Sequence, residues 1–574
     1  FSVDSELDRL IPEELGSLKV FFMKVISTYF NKLHPIIWAQ IIKQMINQLF
    51  IDLPTTPDQA FQFVSKSLLL NSGPFILKIL QMIRPVLSPD LATKYNLTKL
   101  TYPQLRSKEY NLILNKVMIN PKMTNVIVSK SASVGHVCIV NLADQPHDVF
   151  VVKIIKPVSI AQSCWEYKTL SRVFNKKTEA CQFDFVRNML ESNGREMNVI
   201  NEMQNINKGH ENYHCKYNEI FGTDIVATLS TVTVKDDVTK PGCWYAFAMS
   251  LAPGIPLADL VESDLLQNDT PYRAKIHRCL DLLVYKFFLT IAKIGFYHGD
   301  LHAGNVFFSY KENQMTLIDF GAVGDLNVWA DDDNIKALLE IIVMSIFWNF
   351  DGLFDKMTEL LNAKCDPSEA INTNSIPYKN FKEFLIKIKT TNLENAPTES
   401  SKSSAYNDFI FSSDRVRDEK QKEEHYVPSE PHFTNSIYSR LDYVPKEKEK
   451  PVFNDDKHFL PNTQPASTKS EPKSYSFAKV LEFIIKFYAA EGVNIAIKFS
   501  DFYEFQKAYI LLLGVLAKTG YSSYRIGFVM KKAIMNWELL PKLMEIPTIV
   551  HLVKSYYKEK GEFDEFKEFF EKKA

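Results

Sequence analysis

The residues best suited to chemistry are His298-Gly-Asp300-Leu-His302-Ala-Gly-Asn305 and, a short strand-like spacer later, Asp319-Phe320-Gly321. These types fit phosphoryl transfer from a nucleoside triphosphate, which needs a positioned nucleophile and a divalent cation on the phosphates. Asp300 can hold or deprotonate an acceptor hydroxyl or water. Asn305, on the same loop, offers a neutral oxygen of the kind Mg²⁺ accepts, and Asp319 offers an anionic one. Gly321 gives the backbone freedom to aim Asp319, and His298 braces the loop through a side-chain hydrogen bond. The implied cofactors are ATP and Mg²⁺. Either tripeptide alone occurs in turns by chance, but the two around one spacer point to function.

A cation must also meet the phosphates from the opposite side. Val151-Val152-Lys153 lies in a β-branched run and follows a loop of small residues, Ser131-Ala132-Ser133-Val134-Gly135. A lysine there can reach the α- and β-phosphates, and small side chains let the loop lie close over the nucleotide. The runs 125–128, 137–141 and 149–155 predict a small antiparallel sheet. Strands are also expected in 225–234, 244–251, 306–309 and 315–318. Helical apolar spacing predicts helices over 18–49 (broken at His34-Pro35), 59–70 and 75–83, from Tyr272 onward, and as one stretch over 332–361. A sheet-rich piece followed by a helical one, with polar motifs at the junction, predicts an α+β bilobal protein-kinase-like fold. The expected parts are a helical N-terminal extension (1–120), an N-lobe (121–255), a C-lobe carrying the motifs (256–392), an insertion (393–474) and C-terminal helices completing the C-lobe (475–574). The insertion is rich in Ser, Glu, Lys, Pro and Asn with no apolar period, and reads as disordered.

The phosphate motifs resemble those of aminoglycoside and choline phosphotransferases, but the first half of the chain resembles the UbiB family more specifically. That family of atypical kinases, tied to coenzyme Q biosynthesis, carries an ASxGQV loop and a VAVKVxxP strand where this chain has SASVGHV and VVKIIKP. Lys78-Ile-Leu80-Gln81-Met-Ile-Arg84-Pro85 is similar to its KxGQ…RP extension. Glu196-Met-Asn198-Val-Ile-Asn-Glu202-Met-Gln-Asn205 is similar to ExDxxxEAxN, and Met249-Ser-Leu251-Ala-Pro-Gly254-Ile-Pro256 to its interlobe hinge. Leu80, His136, Asn198 and Ala303 depart from the family pattern. The resemblance implies Mg²⁺-dependent ATP hydrolysis or phosphoryl transfer, with Ala132, Ser133, Gly135, Lys153, Met249, Leu251, Lys78, Gln81, Glu196 and Glu202 around the nucleotide. Lys78 and Gln81 would lie over the cleft, and either Glu196 or Glu202 would pair with Lys153. It also implies a role in coenzyme Q or isoprenoid-lipid homeostasis, coenzyme Q biosynthesis proteins as partners, and a mitochondrial location. The first residue is Phe, so targeting is not readable.

Other readings compete. Lys plus Arg (67) balance Asp plus Glu (68), which removes the basic surface that nucleic-acid binding needs. Scattered cysteines with no CxxC pair point to a reducing compartment rather than a disulfide or zinc framework. No run is long and apolar enough to span a bilayer. Polar helical sequence is read through about 165–212. His210-Glu211-Asn-Tyr-His214 fits a zinc-protease spacing, but Asn207-Lys208-Gly209 ahead of it should weaken a helix, so a polar loop is expected there. The 18–49 stretch carries lysines beside its apolar residues; a helix packed on the core is expected, with a lipid or membrane-surface contact as the alternative. A pseudokinase scaffold is disfavoured because Lys153, Asp300, Asn305 and Asp319 are all present.

Overall fold

The computed structural model describes residues 17–50, 107–119, 124–131, 135–142, 147–173, 180–240, 242–263, 270–326, 332–346, 349–363, 370–394 and 503–521, with isolated positions within 53–79, at 266 and within 480–551. Lys78, Leu80, Gln81, Ala132, Ser133 and nearly all of the expected insertion lie outside the described residues. The described helices are α1 (Ser17–Asn31), α2 (Pro35–Leu49), α3 (Ser107–Val117), α4 (Pro157–Val173), α5 (Ala180–Glu196), α6 (Val199–Tyr213), α7 (Tyr217–Phe221), α8 (Leu257–Val261), α9 (Thr270–Ile294), α10 (Asp332–Ile346), α11 (Phe350–Ala363), α12 (Ile376–Glu394) and α13 (Tyr503–Lys518). The strands are β1 (Thr124–Ser131), β2 (Gly135–Leu142), β3 (Val149–Ile155), β4 (Cys215–Lys216), β5 (Thr228–Thr231), β6 (Ala246–Ser250), β7 (Ile255–Pro256), β8 (Phe296–His298), β9 (Val306–Ser309), β10 (Gln314–Leu317) and β11 (Val323–Asp325). The chain divides into two compact units, 1–386 with 476–574, and 387–475; every motif above belongs to the first.

Strand alternation decides where Lys153 goes. The first sheet is antiparallel in the order β1-β2-β3-β6. Its Cys138, Val140, Phe150, Val152 and Ile154 share one buried cluster with Leu114, Val117 and Met118. Successive residues face opposite sides of a sheet, so Lys153 is on the face away from α3. His136 falls on the α3 side by the same rule, stacked on Tyr110 at 5.3 Å between ring centroids. Burial and then Lys156 hold its imidazole below the ordinary pKa.

A second, mixed sheet runs β4-β5-β10-β9-β7, with β5 and β10 parallel. Its β9–β10 hairpin pairs Val306 with Leu317. Asn305 directly precedes this hairpin and Ile318 directly follows it, so the two motif ends meet side by side. Ile318 N–H donates to the Asn305 carbonyl at 3.0 Å. In α9, Ile276, Cys279, Leu280, Leu282, Leu283, Val284, Phe287, Phe288 and Ile291 are buried, as in a helix enclosed on most sides. Gly295 (φ +67) stops it, its N–H donating to the Ile291 carbonyl, and the chain turns directly into β8. Among the described residues no helix is long and apolar enough to cross a membrane.

The 332–361 stretch, expected as one helix, is two. Asn349 begins α11, its carbonyl accepting from Leu353 N–H at 2.9 Å, and its own N–H returns to the Met344 carbonyl. An Asn at a helix start outweighs apolar continuity.

Helix α1 packs on α4, with Tyr29 edge-on to Trp165 at 5.6 Å, whereas Ile42, Ile46 and Phe50 are exposed. Beneath this contact Glu166 is 1% exposed and accepts from Phe75 N–H at 3.2 Å. Tyr29 Oη accepts from Gly73 N–H at 2.8 Å. Burial pushes the Glu166 carboxyl up to about 8, against the pull of the Phe75 and Tyr29 hydrogen bonds. The unfolded chain ionises this group near pH 4–5 while the folded chain keeps its proton. Folding stability therefore falls as pH rises from about 4.5 to about 8, by up to about 1.4 kcal/mol per pH unit. Glu166→Gln retains an acceptor for Phe75 and a donor in place of the acid proton. Its melting temperature should gain on the parent's steadily from pH 5 to pH 8; a gap that does not change with pH refutes a neutral buried carboxyl.

Candidate functional site

One helix contacts both motif loops and the Lys153 strand. Asn198 caps α6, its side chain accepting from Ile200 N–H at 3.1 Å and Asn201 N–H at 3.3 Å. Asn is as good a cap as Asp, so the departure from ExD preserves the helix start. From that start Glu202 faces β3, and Lys153 Nζ lies 2.6 Å from Glu202 Oε1 and 2.7 Å from Asp319 Oδ1. Glu202, and not Glu196 at the end of α5, is thus the lysine's partner. Burial would lower the Lys153 pKa, but Asp319 and Glu202 outweigh it and keep the ammonium charged. Burial would raise the Asp319 carboxyl, yet Lys153 beside it holds it at about 2. Glu202 shares this one lysine with Asp319, and its Oε2 has no hydrogen-bond partner among the described residues. Burial pushes it up to about 7 despite Lys153.

Lower on the same helix, Asn205 Nδ2 donates to the Phe320 carbonyl at 3.1 Å, and Lys208 Nζ meets Asp325 Oδ2 at 2.9 Å. These contacts correct the expectation of a polar loop around His210–His214. Residues 199–213 are helical, and Gly209 sits inside the helix because Phe320 needs the space. A Cβ at 209 would lie 2.4 Å from Phe320 Cε1. His210 Nδ1 lies 3.3 Å from Thr231 Oγ1, and His214 Nδ1 3.3 Å from Ser230 Oγ. Gly209→Ala should cost about 1–3 kcal/mol by overpacking, even though alanine favours helix, and should displace Phe320. Thermal unfolding of the variant checks this; parent-like stability would mean that the ring has room to move.

The His298–Asn305 loop is braced from beneath. His298 is fully buried, and its Nε2–H donates to the Ile318 carbonyl at 2.9 Å. Its Nδ1 accepts from Asp300 N–H at 3.1 Å, which defines the tautomer. The His298 backbone N–H donates to Tyr213 Oη at 3.1 Å, and its ring meets Phe320 at 4.7 Å. Burial lowers its pKa. Both ring nitrogens of His298 are thus engaged in holding the loop.

Asp300 is held from three directions. Asn305 Nδ2 donates to the Asp300 carbonyl at 3.0 Å and lies 3.4 Å from its Oδ2. His302 Nε2 is 3.6 Å from Oδ2, and Lys507 Nζ of α13 is 3.1 Å from Oδ1. Burial would raise the Asp300 pKa, but Lys507 and then His302 outweigh it and lower it.

The donor set fits Mg²⁺. The Asn305 amide turns its N–H groups to Asp300, so its oxygen end is the one available to a cation. Asp319 presents a carboxylate from a left-handed backbone (φ +62) that few residues other than Gly, Asn and Asp adopt. Hard oxygen donors of this kind, one charged and one neutral, suit Mg²⁺ bound together with phosphates. Gly135, buried at the start of β2, pairs with Ile155. Met249 of β6 pairs with Val151 of β3, and Leu251 just beyond is 37% exposed. Lys507 and Tyr213 carried no local signal in the sequence, whereas His302 stood inside the motif.

A lysine on a four-stranded sheet, paired to a helix glutamate and facing an Asp–Phe–Gly turn and an Asp300–Asn305 loop, defines a protein-kinase-like fold. A model of the ABC1 atypical kinase-like domain matches residues 128–346. A protein of Acanthamoeba polyphaga mimivirus with the name Uncharacterized protein L702 is 43% identical over 575 residues, covering 97% of this chain and 74% of that one. The chain belongs to the ABC1 atypical kinase-like family, the UbiB type. A solved structure of Mycobacterium tuberculosis Rv3197 with erythromycin aligns over 62% of this chain and 81% of that one, with 19% identity and a TM-score of 0.34.

Proposed function

We propose that the protein binds ATP with Mg²⁺ and either hydrolyses it or transfers its γ-phosphoryl group. The observation that carries this reading is Lys153 held between Glu202 and Asp319, with Asn305 tied beside Asp319 through the Ile318–Asn305 hydrogen bond. Lys153 is placed to meet the α- and β-phosphates, and Glu202 keeps it aimed. Asp319 and Asn305 would hold Mg²⁺, which when bound neutralises charge on the phosphates. Asp300 orients the acceptor hydroxyl or water. The bond between the γ-phosphorus and the bridging oxygen breaks, and ADP leaves with its electron pair. A new P–O bond forms to the acceptor oxygen, whose proton passes to Asp300 or to the transferred phosphate. Gly135 and the loop before it, with Met249 and Leu251, would border the nucleotide.

Lys153→Met should remove this activity. Turnover of ATP by the purified chain, with Mg²⁺ and with chelator, tests it. A parent that neither binds nor turns over ATP, or a Lys153→Met variant that matches it, refutes the reading. A mitochondrial role in coenzyme Q or isoprenoid-lipid homeostasis extends the proposal and rests on the family resemblance; quinone content of cells lacking or expressing the protein tests it.

A further inference from the structure

We propose that Lys507 is a positioning residue for Asp300, so that helix α13, far along the chain, belongs to the catalytic centre; this rests on the phosphoryl-transfer reading above. The matched family segment ends at residue 346, well short of this lysine.

The geometry is specific. Lys507 Nζ lies 3.1 Å from Asp300 Oδ1, with the two side chains only 24% and 27% exposed. The other oxygen, Oδ2, faces Asn305 Nδ2 at 3.4 Å and His302 Nε2 at 3.6 Å. A carboxylate on a short loop could otherwise turn about its last torsion. Here one oxygen is fixed by a helix outside the loop and the other by the loop itself. Each oxygen has more than one lone pair, so an acceptor hydroxyl can still be met.

The helix that carries Lys507 is itself anchored on both sides. Phe505 meets Tyr297 edge-on at 5.6 Å, directly before His298, and Tyr509 meets Phe288 of α9 at 5.9 Å. Ala508, Leu512, Leu513 and Leu516 are buried. Just past its end, the Thr519 carbonyl lies 3.0 Å from His277 Nε2, and Tyr521 and Arg525 reach Asp281. Lys507 is therefore presented from a fixed platform. A part-exposed ion pair of this type contributes little to stability, so its effect should fall on the rate.

The test uses the full chain. Lys507→Met should lower kcat for Mg²⁺-ATP turnover by about ten- to a hundredfold, while the ATP KM moves by less than about twofold. Lys507→Arg, whose guanidinium can reach the same carboxylate, should restore most of the rate. In an Asp300→Asn background, Lys507→Met should add little further loss. An unchanged or faster Lys507→Met enzyme overturns the inference, as does an equal further drop in the Asp300→Asn background. So does a loss shared by the Arg variant and matched by a fall in melting temperature, which would mark packing. A parent without ATP turnover overturns the phosphoryl-transfer reading itself, and the inference with it.

Discussion

Asp319→Asn should reduce Mg²⁺-dependent ATP turnover by about a thousandfold or more while leaving the protein folded. The substitution keeps side-chain size and removes one charge from the position proposed to hold the metal, where charge stabilisation of the transferring phosphoryl is the main catalytic term. Asparagine tolerates the left-handed conformation at this position (φ +62), so the backbone need not rearrange. Lys153 loses one carboxylate but retains Glu202 at 2.6 Å, which keeps the ammonium paired. Turnover and melting temperature measured on one preparation separate the two effects. Turnover equal to the parent's would remove Asp319 from the metal site, and a collapsed melting temperature would show that its role is structural.

Arg525→Met should destabilise the protein by about 3–5 kcal/mol, the cost of leaving a buried carboxylate without its cation. Asp281 is fully buried in α9 and accepts from Arg525 Nε and Nη2, from Tyr521 Oη and, at 3.1 Å, from Tyr217 Oη. Replacing Asp281 with leucine in the same chain should recover part of the loss, because an apolar pair needs no compensating charge. Equilibrium unfolding in urea of the single and double variants measures this. Additive losses would show that the two side chains do not act as a pair.

Much of the site was legible because its chemistry is local in sequence. The Asp300–Asn305 and Asp319–Gly321 motifs flank one hairpin, and their spacing is the length of β9, its turn and β10. Lys153 was legible from the β-branched run of β3. The helix around Gly209 was legible only in part: polar helical character over 165–212 agrees with it, but glycine argues against a helix, and Asn205, Lys208 and Gly209 serve contacts with Phe320 and Asp325 that no local pattern reveals. Choosing Glu202 over Glu196 required knowing where α6 starts, and the signal was present in Asn198, a capping residue whose side chain sets that start. The break before α11 likewise lay in Asn349. Lys507 could not be found by spacing, because its partner is on a distant loop and a lysine in an apolar helix ordinarily reads as a solvated position.

The Asp281–Arg525 clamp also bears on how the chain is made. The two residues are 244 apart in sequence. At ordinary ribosomal elongation rates, roughly ten to fifty seconds separate their synthesis. Through that interval a nascent chain carries α9 with its acidic residue still lacking the arginine that will bury it, and the helix cannot seal against its final neighbours. Completion of the helical half is thus a late event, and chains stalled before residue 525 should be substrates for chaperones and proteases rather than stably folded proteins.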